Sequence, residues 1–283
     1  MKVDVWGSRG SIANAGPDTL RYGGNTACVS VTTDDAICIL DGGTGLRRSG
    51  SAFVGDPRPL HILLTHLHMD HIQGLGFFPP LFEPGRAVTI WGPASTTQDL
   101  RTRLTRYLSP PLFPVRIRDL TSRVTIEDAP SSGLPIGGLD VRAMPIIHSG
   151  PTLGYRIESR GASLAYLPDH EPALGGWEGR QEWISGHDLA RGVDVLLHDA
   201  QYTEAEYLER VGWGHSSIAQ AAAFADAVGA DHLYLFHHDP GHDDDVIDGL
   251  LELARSTRTS DHTDAASSTV SGSSQRSCAA FWR

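Results

Sequence analysis

His66-Leu67-His68-Met69-Asp70-His71 follows the apolar run Ile62-Leu63-Leu64-Thr65 and comes just ahead of Gly74. A buried strand ending in a loop with three imidazoles and a carboxylate can surround two metal ions that share one water. Imidazole nitrogen and carboxylate oxygen suit zinc first, with manganese or iron as alternatives, and catalytic sites built from them keep a coordination position open. In a chain with 14 His among 283 residues, a surface turn of this order can arise by accident. Its setting, after an apolar strand and before glycine, favours the metal reading.

In that setting the run resembles the HxHxDH signature of the metallo-β-lactamase superfamily. The resemblance implies an α/β fold, a four-layer αββα sandwich in a single domain with the metals at one edge. Working back towards the N-terminus, Lys2 to Trp6 alternates as a strand and breaks at Gly7-Ser8-Arg9-Gly10-Ser11, where glycine allows close backbone approach to a ligand. Tyr22-Gly23-Gly24-Asn25-Thr26 leads into a strand near Ala27 to Thr32, and Asp34-Asp35 turns into Ile37 to Leu40, followed by Asp41-Gly42-Gly43-Thr44-Gly45. These glycine loops are similar to those of the branch holding cyclic-nucleotide phosphodiesterase-like and transfer-RNA 3′-processing hydrolases.

Towards the C-terminus, Ala87 to Trp91 reads as a strand, and Ser95 is expected to cap a helix reaching about Tyr107. Arg101, Arg103 and Arg106 on that helix, with Arg116, Arg118 and Arg123 beyond it, read as a solvated face, or else as a phosphate-steering patch. Leu108 to Pro114 is too proline-rich for a helix and too apolar for a free linker, which suggests a wall or lid over a cleft. Further strands end in His148, Pro168-Asp169, His198-Asp199 and His237-His238, and Gly214-His215-Ser216-Ser217 opens an Ala-rich helix.

The resemblance assigns roles to these residues. It implies that His66, His68 and His148 hold one metal, that Asp70, His71 and His237 hold the second, and that Asp169 bridges them. His237 is preferred over His238 because it directly follows the apolar strand. Asp70 belongs to the catalytic set as well as to the ligands. His215 resembles the proton donor of the transfer-RNA processing enzymes, and Asp199 matches its acidic partner with Asp in place of Glu. A helix N-terminus depresses an imidazole pKa, so a general acid at His215 needs the Asp199 carboxylate to offset it. His170 and His198 are expected to orient ligands from behind.

Composition bounds the rest. A formal charge of −11 opposes a broad surface for long nucleic acid, because such binding rests on Lys and Arg displacing counterions. No apolar run approaches the roughly 20 residues of a membrane span, no secretory leader opens the chain, and a cytoplasmic location is expected. Cys28, Cys38 and Cys278 form neither a disulfide framework nor a zinc cluster. One hydrolase domain over residues 1–255 and a disordered Ser/Thr-rich tail over 256–283 are expected. The favoured function is a dinuclear metal-dependent hydrolase of a small or cyclic phosphodiester, with no membrane partner and a homodimer left open. The alternatives are a transfer-RNA processing endoribonuclease of the same fold and a lactone, thioester or lactam hydrolase. The endoribonuclease would carry an RNA-gripping arm between His148 and Asp169, and that stretch is short here. Di-iron electron transfer would replace His68 by Glu and add a flavin module. A binding protein without turnover is disfavoured by the full ligand set.

Overall fold

A computed structural model describes residues 1–174 and 184–257 together with the backbone of residues 265–266. The first sheet runs in chain order: β1 (Lys2–Gly7), β2 (Cys28–Thr32), β3 (Ile37–Leu40), β4 (Leu60–Leu63), β5 (Ala87–Gly92) and β6 (Arg123–Asp128). Its first three strands are antiparallel through the turn at Asp34-Asp35, and β3 to β6 are parallel. The second sheet holds β7 (Leu134–Ile136), β8 (Leu139–Pro145), β9 (Leu153–Ser159), β10 (Ala162–Leu167), β11 (Val195–Asp199), β12 (His232–Phe236) and β13 (Ala265–Ala266). From β7 to β10 it is antiparallel, and from β10 to β13 parallel.

The central strands are apolar on both faces, which is what a sheet covered on both sides requires. In β3, Ile37 and Ile39 face the helices α1 (Leu46–Ala52) and α3 (Leu100–Thr105), while Cys38 and Leu40 face the other sheet. In β10, Leu164 and Tyr166 fill the space between the sheets, and Ala165 and Leu167 pack under the helices on the far side. Those helices are α4 (His187–Ala190), α6 (Ile218–Val228) and α7 (Asp244–Thr257), with Phe224 and Ile247 reaching into that core. The layers are helix, sheet, sheet, helix: the expected αββα sandwich.

Arg9 ties the two ends of the chain together. Its side chain is fully buried, and Nε donates to the Gly23 carbonyl at 2.9 Å, Nη1 to the His242 carbonyl, and Nη2 to Asp244 Oδ1 at 3.3 Å. Saturating a buried guanidinium in this way is the condition for tolerating it.

Some expectations need correction. Ser95 does not cap a helix: its hydroxyl meets Thr97 Oγ1, and α3 begins only after Asp99, whose carboxylate accepts from the Thr102 amide at 2.7 Å. Asp99 is the stronger cap because its acceptor is charged. Strands β6 and β7 were not expected: β6 is a half-exposed edge with only Val124 and Ile126 as apolar residues, and β7 is three residues long and holds Pro135. Between Glu171 and Arg191, a Gly- and Trp-rich stretch that reads as irregular, the short helix α4 forms, and residues 175–183 lie outside the described residues. The expected disorder of the tail also concerns residues outside the described set, apart from the start at Ser256 and Thr257, which extends α7, and β13, which pairs with β12.

Candidate metal centre

Strand ends, one short helix and one helix-leading loop at one edge of the sandwich deliver the predicted site residues. His66 and His68 follow β4, Asp70 and His71 sit on the one-turn helix α2 (Met69–Ile72), and His148 follows β8. Asp169 follows β10, Asp199 closes β11, His215 precedes α6, and His237 follows β12. The carboxyl ends of parallel strands are where open α/β sheets place ligands, since the chain leaves the sheet there in loops free to carry side chains. Among the described residues, four non-glycine positions have positive φ, and three of them, Ser11, Asp41 and His237, border this site. Such conformations persist only when surrounding contacts hold them.

The predicted ligands converge in two overlapping groups, His66 with His68, His148 and Asp169, and Asp70 with His71, Asp169 and His237. Within each group the candidate donor atoms lie within 4.8 Å of one another. His148 Nε2 stands 3.3 Å from His68 Nδ1, and His71 Nε2 stands 3.3 Å from His237 Nε2. Asp169 sits between the groups, with Oδ1 at 2.9 Å from His71 Nε2 and Oδ2 at 3.7 Å from His66 Nε2. His66 Nε2 and Asp169 Oδ1 are buried without an aligned hydrogen-bond partner, which costs free energy unless something else satisfies them. Nitrogen lone pairs crowded against one another beside two buried carboxylates fit a pair of divalent cations.

The opposite side of four of the five rings is anchored. His71 Nδ1 donates to Asp41 Oδ2 at 2.8 Å, and Asp41 also accepts from Thr65 and from the Tyr166 hydroxyl. His66 Nδ1 meets Thr65 Oγ1 at 3.0 Å, His148 Nδ1 donates to the Gly214 carbonyl at 2.8 Å, and His237 Nδ1 donates to Gln201 Oε1 at 2.9 Å. The Ser11 amide donates to Asp70 Oδ2 at 2.8 Å. Such bonds fix tautomer and ring orientation, leaving the other nitrogen free to coordinate. Glycine makes the close packing possible: a Cβ on Gly10 would lie 2.5 Å from the His237 ring, and one on Gly214, at φ +86°, 2.5 Å from His148 Nδ1.

Burial holds the pKa of His66, His68 and His148 below the usual imidazole value, so these rings are neutral and available as donors. At His71 burial acts in the same direction, but the carboxylates of Asp169, Asp70 and Asp41 outweigh it and raise the pKa well above normal. Asp169 is the reverse case, where burial is overcome by His237, His71 and His66 and the carboxyl pKa falls well below its usual range.

Beside the ligands, His215 Nδ1 donates to Asp199 Oδ2 at 2.6 Å, and the His215 ring stacks on His237 with centroids 5.0 Å apart. The shorter Asp therefore reaches the contact that Glu would make. Burial alone would lower the His215 pKa, but the Asp199 charge and hydrogen bond, helped by Asp169 and Asp70, raise it to about 9. The dipole at the start of α6 loses to a directly bonded carboxylate.

His170 and His198 do not touch the ligands. They bond each other, His170 Nδ1 to His198 Nε2 at 2.9 Å, and pack on Phe224 beneath Asp199. Burial pushes the pKa of His198 down to about 4 and that of His238 to about 3, so both are neutral core groups. Sequence reasoning missed Asp41, Gln201 and Glu171. Glu171 is fully buried and accepts from the amides of Gly212 and Gly214 at 3.0 and 2.9 Å, holding the loop that carries His215. Only Asp41 carried a signal, as the first residue of an Asp-Gly loop.

Residues 38–238 match the family described as the Beta-lactamase superfamily domain. The chain is similar to Ribonuclease Z from Mycolicibacterium gilvum (strain PYR-GCK), with 31% identity over 262 residues and 82% of each sequence covered. Among solved structures it resembles a diphosphatase from the PhnP family, with a TM-score of 0.68, 19% identity and coverage of 95% of this chain and 96% of that one. The short form of human tRNase Z gives a TM-score of 0.59 at 20% identity, covering 84% of this chain and 93% of that one.

Proposed function

The chain belongs to the metallo-β-lactamase superfamily, and from that premise we propose that it is a dinuclear metal-dependent hydrolase of a small or cyclic phosphodiester. His66, His68 and His148 would hold one ion, Asp70, His71 and His237 the other, with Asp169 shared; zinc is our assignment, since five of these seven donors are imidazoles. When bound, two such ions lower the pKa of a shared water and neutralise charge on the oxygens about phosphorus.

The protein's own part lies in holding and moving protons. Asp41, Thr65, Gln201 and the Gly214 carbonyl keep the histidine rings in one orientation. His215, kept protonated by Asp199, gives its proton to the oxygen expelled as the new bond to phosphorus forms and the old one breaks. A thioester would need these parts less, because a thiolate leaves without a proton. The His215–Asp199 contact is the observation that carries the choice of a phosphodiester.

A second reading, a transfer-RNA processing endoribonuclease, is favoured by the name of the 31%-identical relative. Against it stands the hairpin of β9 and β10, turned at Arg160-Gly161, which takes up most of the chain between His148 and Asp169 and leaves no arm there. The formal charge of −11 points the same way. We assign the hydrolase domain to residues 1–255 and treat 256–283 as a tail, with a cytoplasmic location; among the described residues no helix is long and apolar enough to cross a membrane.

The test is an activity panel on protein of measured metal content, with a chromogenic phosphodiester, cyclic nucleotides, a transfer-RNA precursor, a β-lactam and a thioester. Turnover of the small phosphodiesters ahead of the precursor is expected. Turnover of only the β-lactam or the thioester would reverse the choice.

A further inference from the structure

Beside the histidines opens a cleft of about 420 Å³, lined by His66 and His68 and also by Met69, Arg103, Arg106 and Leu112. That volume falls in the range of about 300–1,000 Å³ found for small-ligand sites. The cleft combines two features that hydrolysis itself does not use. Leu112 is 70% exposed and Met69 51%, so apolar surface is left open at its lining. Two guanidinium groups accompany it. Arg106 forms no ion pair among the described residues, its Nη2 donating to the neutral Gln98 Oε1 at 2.7 Å. In a chain with 34 acidic residues against 23 Lys and Arg, an exposed Arg beside a cleft without a carboxylate partner is a cation left available. Arg103 donates to the Pro93 carbonyl, lies 3.9 Å from Asp128, and keeps a buried Nε without a partner. Arg101, on the same helix, turns away and donates to the Val124 carbonyl.

We propose that this cleft binds the non-reacting part of the substrate, and that the substrate is a phosphodiester carrying a second phosphate on a partly apolar body, with Arg106 as the residue that selects it. The proposal rests on the phosphodiesterase reading and narrows it. A guanidinium presents paired donors that match phosphate oxygens, and Leu112 and Met69 supply the surface for a base or similar flat group. The proline-rich segment from Leu108 to Pro114 then has a use: it is the wall that holds Leu112 against the ligand, anchored by Phe113 in the core beneath.

The experiment compares adenosine 2′,3′-cyclic phosphate with the same compound bearing a 5′-phosphate, on the metal-loaded protein and its R106A, R106K and R101A variants. The unsubstituted protein is expected to show a KM about tenfold lower for the 5′-phosphorylated compound. R106A should erase that difference by raising the KM of the phosphorylated compound, R106K should restore part of it, and R101A should keep the original ratio. Equal KM values in the unsubstituted protein, or a preference that survives R106A, overturn the proposal. If neither compound is turned over, the phosphodiesterase reading fails separately, and calorimetric binding of adenosine 3′,5′-bisphosphate against adenosine 3′-phosphate decides the cleft. Tighter binding of the bisphosphate that disappears in R106A supports it, and equal binding sinks it.

Discussion

His215 keeps its proton at neutral pH because Asp199 bonds it directly, and this sets what its loss should do. His215→Ala is expected to lower turnover by about 10²–10⁴-fold on a substrate whose leaving alkoxide needs a proton, and far less on a 4-nitrophenyl ester, with metal content unchanged. Equal losses on the two substrates would rule out proton donation. Asp41 acts through His71, so Asp41→Asn should weaken metal affinity by about 10–100-fold, measurable by competition with a chelator. The seven proposed ligands were legible because each lies in the turn or short helix that follows a strand, in a recurring order. Asp41, Gln201 and Glu171 were not, because what identifies them is a partner far away in the chain: Asp41 bonds His71, Gln201 bonds His237, and Glu171 bonds the Gly212 and Gly214 amides. No local pattern records such a pairing.

Helix α6 links the second sheet to the site, since the residues just ahead of it carry His215. Its start is a capping box, with the Ser217 hydroxyl accepting from the Gln220 amide and the Gln220 side chain accepting from the Ser217 amide. Ser217→Ala should cost about 1 kcal/mol of stability in a denaturant titration. A loss near zero would mean that packing of Phe224 and Ala225 alone sets the helix start. Legibility at this scale followed burial. Strands with two apolar faces, such as β3 and β4, were readable from composition, whereas β6 and β7 have no continuous apolar run and were missed. Around α3, Ser95 is taken up by its own turn, its hydroxyl accepting from the Thr97 amide, and Asp99 four residues on caps the helix. The arginines of that helix also had two readings, and their divergence, Arg106 on the cleft and Arg101 on Val124, depends on rotation about the helix axis.

Across the whole molecule, the proposed ligands come from both sheets: His66, His68, Asp70 and His71 from the first, His148, Asp169 and His237 from the second. Ions held between them would clamp the sandwich at one edge. With free ion at about 100 times its Kd, binding to the folded state alone adds about 2.7 kcal/mol. Chelation should therefore lower Tm by roughly 5–10 °C for a domain of this size, recovered on adding zinc. A Tm indifferent to chelator would count against the clamp. Arg9 makes a second, permanent link between the beginning of the chain and its last helix. Arg9 and Asp244 stand 235 residues apart, so the guanidinium stays in water until the helix that carries Asp244 has packed. The loop from Ser8 to Ser11 joins both sheets at the site, its Gly10 amide donating to the His238 carbonyl and its Ser11 amide to Asp70. A chain that has not yet packed its second sheet lacks three of the seven proposed ligands, so full metal loading is expected to follow folding rather than to direct it.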